Sequence, residues 1–143
     1  MRITMKGRYA LRAMVALAKM GKEKEMVSIS TLSEAEDISS VFLEQIFFKL
    51  RKAGIIKSAR GPGGGFSLNR PADSLSVYEI LNAAGEEMLV LPCDRRDMEC
   101  KRINECISHQ ILVSVTDLVN KYLDDISLKM VLENKEFQPL LYS

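Results

Sequence analysis

A mainly α fold, in which two helices joined by a tight turn precede a β-hairpin and one long helix closes the chain, is what this sequence predicts. Three observations carry the prediction. Apolar residues recur at helical intervals on both sides of a short turn near Asp37, the glycine-rich stretch RGPGGG separates two short apolar segments, and an apolar stripe of about five turns begins at Ile107. Together they describe a winged helix-turn-helix with a β-hairpin wing and a long C-terminal helix for dimerisation.

The first helix is expected over about residues 7–20, where Tyr9, Leu11, Met14, Leu17, Ala18 and Met20 keep helical spacing and Gly21 supplies the stop. After the charged loop KEKE, Ile29, Leu32, Ala35 and Ile38 mark a short second helix with Ser28 or Ser30 as its N-cap. The third follows at once. Leu43, Ile46, Phe47 and Leu50 fall at i, i+3, i+4 and i+7, with Ser39 a candidate cap and Gly54 the stop. At about 100° per residue the opposite face shows Val41, Gln45, Phe48 and Lys52, flanked by Ser40, Glu44 and Lys49.

In IIKSARGPGGGFSLNRP only a chain reversal fits so many glycines, and a hairpin directly after a helix-turn-helix is a wing. Phosphate-loop readings fail: a Walker loop needs Gly-Lys-Ser/Thr at its end, and the dinucleotide fingerprint lacks its last glycine and its helix. Ser76 and Glu79 form an S-x-x-E capping box for a helix through Ile80, Leu81 and Ala84, ended by Gly85. From Ile107 through Ile111, Leu112, Val115, Leu118, Val119, Tyr122, Leu123 and Ile126 the stripe suggests pairing between two chains, with packing on its own domain as the alternative. The tail from Glu133 shows no period. Residues 1–85 are expected to form the DNA-binding domain and 86–143 the ligand segment and dimerisation helix.

The chain has 143 residues and a net charge of +1, which hides an asymmetry. Residues 1–75 hold 13 Lys/Arg against 7 Asp/Glu, whereas residues 76–143 hold 7 against 12. A basic half of this kind suits a polyanion. No apolar run approaches a membrane span, and Arg2, Lys6, Arg8 and Arg12 interrupt the N-terminus where a secretory signal would be unbroken, so a cytoplasmic location is expected.

The three cysteines and the single histidine fall in one segment, Cys93, Cys100, Cys106 and His109, spaced C-x6-C-x5-C-x2-H. An odd number of thiols in a reducing compartment argues against a disulfide framework. Four soft or borderline ligands in one short segment suit a metal, and Arg95, Arg96, Lys101 and Arg102 favour the thiolate form. Structural zinc uses closer paired spacings, and iron–sulfur ligation tolerates wider ones. Cysteines serving only as packing residues would have apolar neighbours, and these have charged ones. Iron–sulfur ligation is the favoured reading, with zinc the alternative.

The opening MRITMKGRYALRAM, the block ISSVFLEQIFFKLRKAGIIKSARGPGGGFSLNRP, the stretch SVYEILNAAG and the cysteine segment resemble the IscR-type iron–sulfur regulators of the bacterial Rrf-type winged helix-turn-helix family. The likeness spans nearly all of the chain except its tail. It implies a homodimer that crosses its long helices, a recognition helix in the major groove, a wing in the minor groove, and a 2Fe-2S cluster on Cys93, Cys100, Cys106 and His109. Three features depart from the pattern: the first cysteine gap is one residue longer, and Val41 and Phe48 stand where smaller or polar residues are commoner. The nitric-oxide-sensing branch carries an aspartate ligand near position 8, where this chain has Arg8, and the cysteine-metabolism branch lacks the triad present here.

The function expected is therefore a cytoplasmic, non-enzymatic transcription regulator of double-stranded DNA, controlled by an iron–sulfur cluster that reports cluster supply or oxidative stress, with iron–sulfur assembly proteins as possible partners. Ser39, Ser40, Val41, Glu44 and Gln45 are the candidates for base edges and the helix start. Lys52, Lys57, Arg60 and Gly61 are the candidates for phosphates and the minor groove. The alternatives are a zinc-stabilised or cluster-free regulator of the same family and, from another class, a small redox protein.

Overall fold

The computed structural model describes residues 3–22, 25–87, 91, 93 and 100–133. Among them lie six α-helices and one hairpin: α1 (Met5–Met20), α2 (Ile29–Glu36), α3 (Ser40–Lys52), β1 (Ile56–Ala59), β2 (Gly65–Leu68), α4 (Val77–Ala84), α5 (Ile107–Asp124) and α6 (Leu128–Leu132). A single 3-10 turn, Ala72–Ser74, leads into α4. The mainly helical winged fold expected from the sequence is the one observed.

Helix α1 is the central post, touching α2, α3, α4 and α6. Its buried face combines small and large residues, among them Ala10, Ala13, Met14 and Leu17. It begins two residues earlier than the apolar spacing indicates, because its N-cap is Thr4. Ser28 caps α2 by accepting the Thr31 N–H at 3.1 Å. Asp37 then takes a left-handed conformation, φ 51°, to turn the chain into α3, whose Leu43, Ile46, Phe47 and Leu50 are fully buried. Each such side chain contributes roughly 1.5–3 kcal/mol of burial.

In the hairpin Ile56 pairs with Leu68 and Ala59 with Gly65. A third rung, absent from the sequence reading, is Val27: its N–H donates to Phe66 O at 2.9 Å and its carbonyl accepts the Phe66 N–H at 2.8 Å. Gly65 permits this approach, since a Cβ there would lie 2.5 Å from the Val27 oxygen. The capping box at Ser76 and Glu79 is present, and Gly85 ends α4 in the left-handed region at φ 94°.

Helix α5 divides along its length. Ile107, Ile111, Leu112, Val115 and Leu118 are exposed, whereas Val119 and Leu123, with Ile126 just past the helix, pack beside Val77 and Leu81. From the last residue of α5 onward the chain is stitched to the start of α4: Ser76 Oγ donates to Asp124 Oδ1 at 2.6 Å, Val77 N–H to Ile126 O at 2.9 Å, and Leu128 N–H to Leu75 O at 2.7 Å. Leu128, in the five-residue helix α6 that the sequence reading did not include, is buried in the same core as Met14 and Phe47.

Candidate nucleic-acid interface and metal centre

The turn that presents α3 is fixed from both sides. Ser33 Oγ donates to Ile38 O at 2.6 Å and the Ile38 N–H returns to Ser33 O at 3.2 Å. From α1, Arg12 donates through Nε to Glu36 Oε2 at 3.1 Å and through Nη2 to the Glu36 carbonyl, closing the end of α2. Its guanidinium lies 5.6 Å from the centre of the Tyr9 ring, and Tyr9 meets Phe42 edge to face at 5.6 Å. This short aromatic relay sets the first turn of α3 against α1.

With its inner face buried, α3 presents Ser40, Val41, Glu44, Gln45, Phe48, Lys49, Arg51 and Lys52 outward, and Ser39 is exposed just ahead of it. Ser39 occupies the N-cap position without a capping hydrogen bond from its side chain. The wing is tied to this helix by Phe47 edge-on to Phe66 at 5.1 Å, by Asn69 Nδ2 donating to Gly54 O at 3.0 Å, and by Arg51 Nη1 donating to Ser58 Oγ at 3.1 Å. Lys57, Arg60 and Gly61 are exposed on the wing. Arg51, which both stacks on Phe48 and holds the wing, was missed by sequence reasoning. Its contacts depend on the fold and leave no local signal.

Two of the metal candidates, Cys106 and His109, lie at the N-terminal end of α5. Cys93 Sγ lies 3.3 Å from His109 Nδ1, closing a gap of 16 residues. Cys106 is the N-cap residue of α5 and makes no capping bond with its side chain. Cys93 and Cys106 are half-buried, Cys100 is exposed, and all three are free thiols. Thus two of the four candidate ligands already touch, and a third sits one helical turn from His109. Among the described residues no group of three metal-ligating side chains is yet close enough to hold an ion, so Cys100 and Cys106 would have to close on the pair. Of the four cations read as favouring thiolates, Lys101 and Arg102 are exposed, and Arg95 and Arg96 lie outside the described residues.

On the near side of this segment stands Glu86, directly after α4. Its carboxylate accepts the Thr4 N–H at 3.2 Å, the Gly7 N–H at 2.9 Å and the Thr4 hydroxyl, replacing the capping bond that Thr4 does not make itself. Burial raises the Glu86 pKa, but these hydrogen bonds and the nearby Lys6 more than reverse it, so the group stays below the ordinary carboxylate value. No local pattern in the sequence points to it.

A positively charged helix face beside a hairpin wing defines a winged-helix DNA-binding protein. The chain belongs to the Rrf2 family, described as iron-dependent transcriptional regulators, whose model matches residues 3–134. It is a DNA-binding transcription regulator and not an enzyme. It is 36% identical over 136 residues to the HTH-type transcriptional regulator IscR of Escherichia coli O1:K1, covering 95% of this chain and 83% of that one. Its fold is similar to IscR of T. potens (TM-score 0.73, 28% identity, 100% of this chain and 97% of the other). It is also similar to CymR, the global cysteine regulator of B. subtilis (TM-score 0.76, 26% identity, 95% and 99%).

Proposed function

We propose that the chain is a homodimeric cytoplasmic regulator whose DNA binding is controlled by a 2Fe-2S cluster on Cys93, Cys100, Cys106 and His109. The observation that supports this most directly is the Cys93–His109 contact, which joins the first and last members of the candidate ligand series. Such a cluster supplies a redox centre whose potential its ligands set, an imidazole making it less reducing than a fourth thiolate would. In this reading iron–sulfur supply or oxidative stress is the signal, and assembly proteins deliver the cluster.

The fold provides a route from ligand to DNA. Glu86 pins the chain entering the segment to the N-terminus of α1, and the ladder at Ser76, Val77 and Leu128 pins the far end of α5 to α4. The ligand segment lies between two anchors on the DNA-binding body. Closing Cys100 and Cys106 on the Cys93–His109 pair repositions the free end of α5, and with it the exposed stripe through which a second chain would pair. The same stripe supports the dimer: its five large apolar residues form one face that a monomer leaves in water.

Anaerobic purification with visible spectra and iron, sulfide and zinc analysis tests the proposal, together with gel shifts of loaded and metal-free protein. Iron and acid-labile sulfide in equal amounts, about two of each per chain, with DNA affinity that follows them, is the expected result. Zinc alone would make the site structural, and protein without metal that binds DNA unchanged would place it beside cluster-free cysteine regulators. Cluster without specific DNA retention would leave only an electron carrier.

A further inference from the structure

Helix α3 carries two apolar side chains on its outer face, Val41 and Phe48, 63% and 59% exposed. Single exposed apolar residues are commonplace. These two are aligned. Seven residues make two turns, so they share one stripe about 10.5 Å apart along the axis, with Gln45 between them. Every other exposed position on the helix is polar or charged.

Each is also placed for contact. Val41 and Gln45 edge an apolar recess of about 400 Å³ whose opposite wall is Met5 and Tyr9 of α1, so a small group set against Val41 would leave water on more than one side. The Arg51 guanidinium lies 5.8 Å from the Phe48 ring centre and is itself held by Ser58, which orients the ring beside the wing.

We infer that Val41 and Phe48 set the sequence preference of this regulator by packing on the C5-methyl groups of two thymines about three base pairs apart, with Gln45 pairing to an adenine between them. The inference rests on α3 being the element that enters the major groove. There thymine alone offers an apolar group, and an amide such as Gln45 matches adenine N6 and N7. A cytosine amino group or guanine carbonyl pressed on Val41 or Phe48 would lose water without gaining a partner, so the pair rejects as well as selects. With α3 running along the duplex, the stripe of about 10.5 Å spans about three base steps of about 3.4 Å.

The test selects duplexes from a random pool with the full chain, both metal-free and after anaerobic reconstitution with iron and sulfide. The expected half-site holds two thymines three base pairs apart. Replacing either with uracil, which lacks only the methyl, weakens binding about three- to fivefold, the factor for burying one methyl-sized group. Val41→Ser abolishes the uracil penalty at one thymine and keeps it at the other, and Phe48→Ser does the reverse. Both positions are exposed, and unchanged helical signal confirms the fold. Uracil sites bound as tightly as thymine sites, or both variants relaxing both positions equally, overturn the inference while leaving DNA recognition intact. A pool that yields no sequence preference in either state removes DNA recognition by α3 and the inference together.

Discussion

Glu86 and Gly7 meet across 79 residues of sequence, the carboxylate accepting the glycine N–H at 2.9 Å. The residue leading into the candidate ligand segment thus caps the first helix of the DNA-binding body. Removing it leaves the Thr4 and Gly7 amides without their acceptor, and Glu86→Ala is expected to cost about 1–3 kcal/mol. Because the folded-state pKa of Glu86 is lowered, its contribution is present above the unfolded carboxylate value, about pH 4, and is lost as pH falls through the folded one. Thermal melts from neutral to acid pH should therefore show wild type and Glu86→Gln furthest apart at neutral pH and converging below about pH 4. A gap that stays constant with pH would mean the carboxylate charge is not what caps α1.

The same contact can be broken from the other side. A Cβ on Gly7 would lie 2.6 Å from Glu86 Cγ, so Gly7→Ala must displace the carboxylate or strain the helix. Overpacking of this kind costs about 1–3 kcal/mol despite the better helix propensity of alanine. Combined with Glu86→Ala the loss should fall short of the sum by more than about 0.5 kcal/mol, since the second substitution removes the clash. Additive denaturation midpoints would separate the two residues.

What could be read from sequence was what is local. The Ser76–Glu79 box, the stripe Leu43, Ile46, Phe47 and Leu50, and the RGPGGG reversal each act within a few residues, and each is where the spacing placed it. The Val27–Phe66 pairing, the Glu86 cap and the Arg51–Ser58 tie join distant positions, and nothing beside those residues signals the partner. Helix α6 is five residues long, shorter than a period needs to declare itself. The long stripe was half ambiguous for a physical reason: burial under the domain and exposure for a partner ask for the same apolar residues, and α5 contains both. At the candidate metal site the residue types were legible, but the meeting of Cys93 with His109 was not.

For the ligands, Cys93→Ala, Cys100→Ala and Cys106→Ala should each lose visible absorbance and iron while keeping the helical signal of wild type, because none of the three belongs to the buried core. His109→Cys should keep a cluster and lower its potential, a thiolate donating more charge than an imidazole. An unchanged potential would take His109 out of the ligand set, and collapse of the helical signal in the alanine variants would make the segment structural.

The exposed half of α5 gives an independent test. Leu118 is 64% exposed, and Leu118→Asp introduces no buried charge in a single chain. In a dimer that packs this stripe against its copy, a carboxylate would be buried twice, which costs several kcal/mol. Sedimentation of the variant should show a monomer of unchanged fold, with DNA affinity falling because two half-sites are no longer held together. A variant that sediments as wild type would place the interface elsewhere.

The wing offers a contrast between charge and position. Lys57 on β1 and Arg60 at the tip are both exposed cations, so pure attraction to phosphates predicts the same effect from each. Either alanine substitution would then weaken binding at every site and reduce the salt slope by about one. Arg60 differs in its setting. It precedes Gly61 and Gly63, both at positive φ, and Gly64, where a Cβ would lie 2.4 Å from the Ala59 oxygen, so the tip is as thin as a backbone can be. A thin cationic tip suits a narrow minor groove, where A·T-rich sequence concentrates negative potential. Arg60→Ala should therefore weaken binding most at sites with an A·T-rich flank, and Lys57→Ala should weaken all sites alike. Titrations of both variants across a matched salt series, on sites that differ only in the flank, separate the two roles. Equal losses on both flanks would reduce Arg60 to a phosphate contact, and no loss with an unchanged salt slope would take the wing off the DNA.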